Sequence, residues 1–340
     1  MIGVGLVGYG YWGPNLARNF SARADCEIMA ICDTDRGRAE TARKLYPRAL
    51  VTDRFAELLD HRGIDAVLIA TPVSSHFELA RAALRAGKDV LVEKPLSGTV
   101  GEARELVEIA AQNSRIIAVD HTFLFTGAVQ KIKEIVDSGE LGEILYVDSV
   151  RINLGLFQND VNVLYDLAPH DLSIMSYLIS ESPIAVSALG KSHTVNNIEN
   201  VAYLHFEFAS GLIAHFHLNW LAPVKIRRTL IGGTKKMIVY DDMEPSEKVK
   251  IYDKGIVMKG GDKESVYKVF VDYRVGDMVA PKLATREALA VEADEFIACI
   301  ASRRRPVSDG EFGLKITRLL EAAQTSLNNG GQRVALEANQ

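Results

Sequence analysis

Short apolar runs alternate with amphipathic stretches along the first third of the chain. The runs are nearly continuous, which is typical of parallel strands that are covered on both faces. The predicted strands are 4–7, 27–32, 49–51, 65–70, 89–92 and 115–119, and the predicted helices start near Pro14 and cover 36–45, 55–60, 75–86 and 100–113. Strands that alternate with helices in this way predict an α/β domain with a doubly wound parallel sheet over residues 1–122.

The pattern changes after Thr122. One helix is predicted over 128–138, and strands then dominate. The predicted strands are 145–152, 201–208, 212–220, 227–231 and 237–240, and the helical pattern returns at 286–300 and 313–327. Ala209-Ser210-Gly211 separates two of these strands and predicts a hairpin with glycine in its loop. We therefore expect an α+β domain over 123–340, with an open, mostly antiparallel sheet and C-terminal helices.

Composition narrows the class of protein. The chain has 340 residues, more than one hydrophobic core usually supports, and two domains are expected. A net charge of −5 argues against a dedicated nucleic-acid binder. We expect no membrane span and no signal peptide, because no apolar run is long enough for a span and no basic segment precedes one. The three cysteines fit no disulfide framework or zinc spacing, which indicates a reduced, cytoplasmic setting.

Residues 8–13 read Gly-Tyr-Gly-Tyr-Trp-Gly and directly follow the first strand. In a dinucleotide site, Gly8 permits the tight turn, Gly10 lets the pyrophosphate approach the backbone, and Gly13 allows close helix packing. The helix that follows offers its first amides to the phosphates, and Tyr11 and Trp12 lie within the same loop. The alternative is a glycine-rich structural turn, which the surrounding strand and helix make less favourable.

Asp33 ends the second strand, 20 residues after Gly13. A carboxylate at this place accepts hydrogen bonds from the two ribose hydroxyls and repels a 2′-phosphate, so NAD is predicted rather than NADP. Arg36 lies close enough to leave NADP open.

Polar residues follow three of the predicted parallel strands, namely Thr71, Glu93-Lys94 and Asp120-His121. Ligands of open α/β sheets bind beyond the carboxyl ends of the strands, so these residues are expected at the nicotinamide half of a cofactor. Lys94 could also be an ordinary solvated lysine at a strand end. Pro95 restricts the residue before it, and a cis Lys94–Pro95 bond is predicted.

Asp166 and His170 are four residues apart in a predicted helix. This spacing places them on one face, where a carboxylate orients an imidazole and supports its charged form. If Asp166 is the helix cap, Pro169 lies in the first turn, where proline is tolerated. The pair suits a general base and its partner, and the alternative is a plain cap with a packed histidine.

These motifs together resemble the glucose–fructose oxidoreductase / inositol dehydrogenase / MocA family. The resemblance rests on the glycine loop, Thr71-Pro72-Val73-Ser74-Ser75-His76, Glu93-Lys94-Pro95, residues 137–144 and Asp166-Leu167-Ala168-Pro169-His170. It covers nearly the whole chain, and the motifs fall in family order. It implies a Rossmann domain followed by an open-faced sheet, and NAD(P)-linked oxidation or reduction of sugars, inositols or sugar nucleotides.

The resemblance also implies roles for individual residues. Lys94, Asp166 and His170 are expected to be catalytic, and Glu93 is expected to bind the cofactor ribose. Thr71, Pro72 and His76 are expected to contribute to the cofactor site. Homodimers or homotetramers through the open sheet are implied as well.

The most similar branch is thought to oxidise C3 of nucleotide-linked N-acetyl sugars, and a free polyol or inositol is the second choice. A catalytically silent NAD-binding regulator is the third, which the intact catalytic set disfavours. Polar residues near the predicted substrate loop are candidates for sugar contacts, although each also fits ordinary turn or strand chemistry. These candidates are His121, Asn153 and Asn162, with Arg151, Arg227 and Arg228 for a diphosphate.

Three histidines, His205, His215 and His217, share one face of the predicted hairpin. Three imidazoles on one face suit zinc, but the opposite face carries the better apolar core. We therefore read the histidine face as exposed or covered by another subunit, and no metal is predicted.

Overall fold

The computed structural model describes residues 1–155, 161–195, 197–253, 255–258 and 271–336. The chain divides into two compact units. The first comprises Met1–Phe125 and Arg286–Glu321, and the second comprises Thr126–Thr285 and Ala322–Gln340. Each unit has its own sheet.

The sheet of the first unit has six strands in the order β3-β2-β1-β4-β5-β6, all parallel. They are β1 (Ile2–Val7), β2 (Cys26–Cys32), β3 (Leu50–Thr52), β4 (Ala66–Ile69), β5 (Asp89–Glu93) and β6 (Ile117–Asp120). This is the doubly wound order, in which the strand sequence reverses between β1 and β4 and opens a ligand crevice. The predicted doubly wound parallel sheet is confirmed.

Helices cover both faces of this sheet. They are α1 (Gly13–Ser21), α2 (Arg36–Leu45), α3 (Phe55–Asp60), α4 (Val73–Arg85) and α5 (Val100–Gln112). Apolar residues of α1 and α2 pack into one core cluster, and those of α3, α4 and α5 pack into the other. Because both faces are covered, the strands between them read as continuous apolar runs.

In the described part of the second unit, the larger sheet has nine strands in the order β16-β13-β12-β11-β7-β10-β9-β8-β17. They are β7 (Ile144–Leu154), β8 (Ala185–Lys191), β9 (Val201–Glu207), β10 (Ile213–Asn219), β11 (Leu221–Gly233), β12 (Met237–Asp241), β13 (Val249–Tyr252), β16 (Met278–Val279) and β17 (Val334–Ala335). Two further strands, β14 (Gly255–Met258) and β15 (Val271–Arg274), pair with each other. Among the described strands of this sheet only β7 and β10 pair in parallel, so the predicted open, mostly antiparallel sheet is confirmed.

Two helices of the second unit are α6 (Gly127–Asp137) and α7 (Val163–Leu178), and α7 packs against β7, β9 and β10. The predicted hairpin joins β9 to β10, and Gly211 in its loop has a φ angle of +90°. Phe206 and Phe216 are buried on one face. The opposite face carries His205, directly across from His215, in the register expected from the sequence.

The C-terminal helices are α8 (Ala288–Ser302) and α9 (Gly310–Asn328). The sequence led us to place both in the second domain, whereas residues 286–321 belong to the first unit. Leu289, Phe296 and Ile300 of α8 join the core cluster that also holds the apolar residues of α1. An amphipathic helix shows that it covers a sheet, but its own pattern does not say which one.

Within the described ranges, none of the helices combines the length and the apolar character needed to cross a membrane. Cys26, Cys32 and Cys299 are buried and free.

Candidate active site

The glycine-rich loop between β1 and α1 has the tight backbone that its sequence predicts. Gly8 has a φ angle of +90°, and a Cβ atom there would lie 2.5 Å from the carbonyl oxygen of Ala70. A Cβ atom on Gly13 would lie 2.1 Å from the carbonyl oxygen of Gly8. α1 then begins at Gly13 with Pro14 in its first turn, as expected.

Gly10 differs from the other two glycines because its surroundings are open. Among the described residues, a Cβ atom there would approach only the guanidinium group of Arg38, with Nη1 at 3.3 Å. The backbone is therefore accessible to a pyrophosphate. From the sequence we named Arg36 as the arginine near the cofactor site and did not predict that Arg38 lies beside Gly10. Asp35 caps α2 by accepting from the Arg38 amide at 2.9 Å, and this capping signal could have located Arg38.

Asp33 lies directly after β2 and is 6% exposed. Its two carboxylate oxygens accept hydrogen bonds from the amides of Tyr9 and Asp35, at 2.6 and 2.8 Å. An ionised carboxylate oxygen accepts more than one hydrogen bond, so lone pairs remain for ribose hydroxyls. The contact of Asp33 with a ribose stays a prediction.

Glu93 ends β5, and the peptide bond between Lys94 and Pro95 is cis, which confirms that prediction. The amide of Lys94 donates to Oε2 of Glu93 at 2.7 Å, so the carboxylate folds back over the turn. Both side chains are half-buried.

His76 has a different place from the one predicted. Its ring is fully buried, and its two nitrogens lie 2.9 Å from the carbonyl oxygen of Pro95 and 2.8 Å from that of Thr71. A neutral imidazole has one N–H, which donates to one of these two carbonyl oxygens, and the ring lies between the loop after β4 and the loop after β5. His76 was expected to contact the cofactor. Its buried ring instead contacts the backbone of two loops, which is a structural role.

The other loop residues are partly engaged by protein. Tyr11 is 86% exposed. The indole nitrogen of Trp12 donates to Oδ2 of Asp120 at 2.6 Å. The hydroxyl of Ser75 donates to Oγ1 of Thr71 at 2.7 Å, and Pro72 precedes the first residue of α4. Tyr11 and Thr71 remain available to a ligand, whereas the indole nitrogen of Trp12 is taken up by Asp120.

His121 follows β6 and is 1% exposed, with its ring edge-on to that of Phe312 at 5.6 Å. Neither ring nitrogen has a hydrogen-bond partner among the described residues. Burial, and then the charge of Lys94, lowers the pKa of His121 to about 3. A buried imidazole without a partner is costly, and its neutral form can accept one hydrogen bond and donate another. This supports the expected ligand contact.

The helix that carries Asp166 and His170 starts earlier than expected. Asn162 is its cap, and its side-chain oxygen accepts from the Tyr165 amide at 3.2 Å. Asp166 is therefore not the cap, and Pro169 lies inside the helix rather than in its first turn.

The side chain of Asn162 is also engaged by protein groups outside the helix. Its amide nitrogen donates to Glu199 and Gln324, at 3.0 and 2.8 Å. These bonds give Asn162 a structural role in place of the expected sugar contact.

Asp166 and His170 lie one turn apart on α7, and both are half-buried. Oδ2 of Asp166 accepts a hydrogen bond from the indole nitrogen of Trp220 at 3.0 Å. Trp220 is 1% exposed and was not singled out from the sequence, where it reads as a core residue at a strand end. A buried indole N–H needs a hydrogen-bond acceptor, and this requirement could have indicated the contact between Trp220 and Asp166 from the sequence.

Arg151 is not available for a substrate diphosphate. It is 4% exposed and forms two hydrogen bonds with Asp171, from Nε to Oδ2 at 2.9 Å and from Nη2 to Oδ1 at 2.8 Å. Two parallel bonds between a guanidinium group and a carboxylate are a strong pairing. This buried ion pair between β7 and α7 corrects the substrate role predicted for Arg151.

The two other candidate arginines are also paired with acids. Arg227 contacts Asp242 at 3.3 Å, and Arg228 contacts Asp241 at 2.7 Å. Asn153 is half-buried near the end of β7. Residues 156–160, which are half of the predicted substrate loop over 153–162, lie outside the described residues.

Across the parts of the chain that the structure describes, no cluster of three or more histidine, cysteine, aspartate or glutamate side chains could hold a metal ion. The predicted histidine face is instead stacked on tyrosine, with the rings of Tyr203 and His217 at 4.4 Å.

Comparisons with known proteins agree with this arrangement. Residues 2–121 match a family model described as an oxidoreductase family with an NAD-binding Rossmann fold. Residues 129–239 match the GFO/IDH/MocA C-terminal domain.

Two curated relatives align over nearly their whole length. UDP-N-acetylglucosamine 3-dehydrogenase of Acidithiobacillus ferrooxidans is 28% identical over 340 residues, which cover 98% of this chain and 97% of the relative. scyllo-Inositol 2-dehydrogenase (NAD⁺) of Bacillus subtilis is 25% identical, covering 97% of this chain and 94% of the relative. Among solved structures, GenD2 from gentamicin A biosynthesis in complex with NAD has a TM-score of 0.83 at 22% identity, covering 99% of this chain and 97% of that one.

The glycine loop, the placement of Asp33 and the family model over residues 2–121 agree on the first unit as an NAD-binding Rossmann domain. NAD is the cofactor, and the open backbone at Gly10 fits its pyrophosphate. The chain belongs to the GFO/IDH/MocA family of NAD-binding oxidoreductases.

Proposed function

We propose that the protein oxidises a secondary alcohol of a sugar, at C3 of a nucleotide-linked N-acetyl sugar, with NAD. The observation that carries this substrate is the similarity to UDP-N-acetylglucosamine 3-dehydrogenase, which spans 98% of this chain. The catalytic set predicted from the sequence, Lys94, Asp166 and His170, supplies the side chains that such an oxidation needs.

Each of these residues has a defined task in the proposal. Bound NAD supplies the acceptor for the hydride that leaves the alcohol carbon. Lys94 donates a hydrogen bond to the reacting hydroxyl oxygen and stabilises the negative charge that develops there. His170 takes the hydroxyl proton as general base. Asp166, held by Trp220, orients His170 and supports its charged form.

Other residues hold the dinucleotide in place. The amides around Gly10 bind the pyrophosphate, and Asp33 and Glu93 accept hydrogen bonds from ribose hydroxyls. His121 is neutral at neutral pH because its pKa is lowered to about 3. It therefore adds no second positive charge beside Lys94 and offers a hydrogen bond to a substrate hydroxyl.

A free inositol is the second candidate. It is supported by the similarity to scyllo-inositol 2-dehydrogenase over 97% of this chain. It is also supported by the pairing of Arg151, Arg227 and Arg228 with acids, since none of the three is left unpaired for a diphosphate.

Turnover separates these candidates. The purified protein is mixed with NAD and either UDP-N-acetylglucosamine or scyllo-inositol, and the absorbance of reduced nicotinamide is followed. We expect reduction with the nucleotide sugar at a kcat/KM well above that with inositol. Turnover with inositol alone would replace the first candidate by the second, and NAD binding without turnover of either compound would favour a silent regulator.

We also propose that copies of the chain associate through the exposed face of the larger sheet. Tyr203 and Ile213 on this face are 44% and 47% exposed, which is high for large apolar residues on a regular sheet. Light scattering after size exclusion tests this proposal, with Tyr203→Glu expected to lower the measured mass. A monomeric wild-type protein would contradict it.

A further inference from the structure

Three carboxylates meet at the ends of β5 and β6 in the first unit. Glu93 and Asp120 are the last residues of these strands and are directly paired in the sheet register. Glu292 reaches them from α8 and is 2% exposed, while Asp120 is 1% exposed. An acid buried beside two others is unusual, because ionised carboxylates repel each other in a low-dielectric interior.

The other acids of α8 that lie near Glu292 in sequence are neutralised by arginines. Asp294 pairs with Arg23 and Arg286, and Glu295 accepts from Arg304 at 2.7 Å. Glu292 instead faces Asp120 from β6, Glu93 from β5 and the hydroxyl of Thr122. Each of these neighbours is an acid or an uncharged group, so the charge of an ionised Glu292 would be opposed rather than balanced.

The hydrogen bonds of the cluster are consistent with one extra proton. Oδ2 of Asp120 accepts from the Trp12 indole, and Oδ1 accepts from the Thr122 hydroxyl, so Asp120 behaves as an ionised acceptor. The Thr122 hydroxyl has one proton, which it donates to Asp120, so neither oxygen of Glu292 is left with a donor among the described residues. A proton on Glu292 resolves this, because the acid form donates to Asp120. Burial, and then the carboxylate of Asp120, raises the pKa of Glu292 well above its usual range.

We propose that Glu292 is a positioning residue of the NAD site, a protonated acid that donates a hydrogen bond to Asp120 and so fixes Trp12 without repelling Glu93. Trp12 belongs to the glycine-rich loop, and Glu93 precedes Lys94. One buried proton therefore links the loop that receives the pyrophosphate to the turn that carries Lys94. The inference rests on the NAD site and not on the identity of the sugar.

Glu292→Gln and Glu292→Leu test this role as a matched pair. Glutamine keeps the shape and donates to Asp120 without a proton that can be lost, whereas leucine removes the donor. We expect Glu292→Gln to bind NAD within about twofold of the wild-type protein and Glu292→Leu to bind about tenfold more weakly, as measured by calorimetry. Equal binding by all three proteins, or an equal loss in both variants, would overturn the proposal.

Infrared spectroscopy reads the proton itself and needs neither NAD nor substrate. The difference spectrum between wild-type protein and Glu292→Gln at neutral pH is expected to show the C=O stretch of a protonated carboxyl group. A difference spectrum with only ionised carboxylate bands would overturn the proposal. The proposal also predicts a pH dependence of NAD binding. As the pH is raised, Glu292 loses its proton and glutamine does not, so NAD affinity is expected to fall more in the wild-type protein than in Glu292→Gln. Parallel pH profiles of the two proteins would contradict the proposal.

Discussion

The indole nitrogen of Trp220 donates a hydrogen bond to Oδ2 of Asp166 across 3.0 Å. Asp166 lies one turn before His170 on α7. The buried tryptophan therefore fixes the carboxylate that is expected to orient the general base, and Trp220 becomes a positioning residue of the proposed site.

Replacing Trp220 with phenylalanine removes this donor and keeps an aromatic ring. We expect kcat to fall about ten- to a hundredfold, because a hydrogen bond to a charged group contributes about 1.5–3 kcal/mol. KM should change little, because Trp220 acts through Asp166. Steady-state kinetics of the folded variant check this, and an unchanged kcat would show that Asp166 is held in place without the indole.

Gly10→Ala is expected to weaken NAD binding without unfolding the first unit. The added methyl group meets only the end of the Arg38 side chain, but it occupies the space that a pyrophosphate needs. We expect the Kd for NAD to rise at least about tenfold, as measured by calorimetry.

Gly101→Ala is the matched control for Gly10→Ala. A Cβ atom there meets nothing within 4 Å, and the residue lies inside α5. This variant should bind NAD normally and gain roughly 0.5–1 kcal/mol of stability. Normal NAD affinity in Gly10→Ala would contradict the assignment of the loop.

The buried imidazole of His121 predicts a pH dependence of stability. Its pKa is lowered from 6.5 to about 3, so between these values the unfolded chain binds a proton that the folded chain does not. Stability from this group is full above pH 6.5 and is lost as the pH falls towards 3.

The comparison with His121→Gln isolates this effect, because glutamine does not titrate. Urea unfolding is measured for both proteins at several pH values. The free energy of unfolding of the wild-type protein should fall relative to the variant by up to about 1.4 kcal/mol per pH unit below pH 6.5. Identical slopes in the two proteins would show that His121 takes up a proton in the fold.

The sequence predicts most of the first unit because its signals are local. Continuous apolar strands, the glycine loop and the proline after Lys94 each act within a few residues. The sheet order, the turn at Gly8 and the cis bond accordingly agree with expectation. The register of His205 and His215 agrees as well, because a short hairpin loop sets it.

The errors come from partners that are distant in sequence. Arg151 has the same strand parity as buried Val147 and Ser149, but its partner Asp171 is 20 residues away. Glu292 shares a helix face with the buried residues Leu289 and Phe296, so helical spacing alone marks it as an inward-facing acid. That spacing does not reveal that Glu93 and Asp120 are the groups it meets.

Lys94→Met is expected to lower kcat by roughly 10²–10⁴-fold, because methionine keeps the length of the side chain and removes the hydrogen-bond donor. NAD binding should remain within a few-fold, since Lys94 is assigned to the reacting hydroxyl. Lys44→Met, on the exposed side of α2, is the control and should leave kcat unchanged. Full turnover by Lys94→Met would remove Lys94 from the mechanism.

The most direct test of the proposed function uses UDP-N-acetylglucosamine that carries deuterium at C3. The labelled sugar is incubated with the wild-type protein and NAD, and the products are examined by mass spectrometry and NMR. We predict a 3-keto sugar and reduced nicotinamide that carries the deuterium at C4. Reduced nicotinamide without the label, or recovery of the sugar unchanged with its deuterium in place, would contradict oxidation at C3.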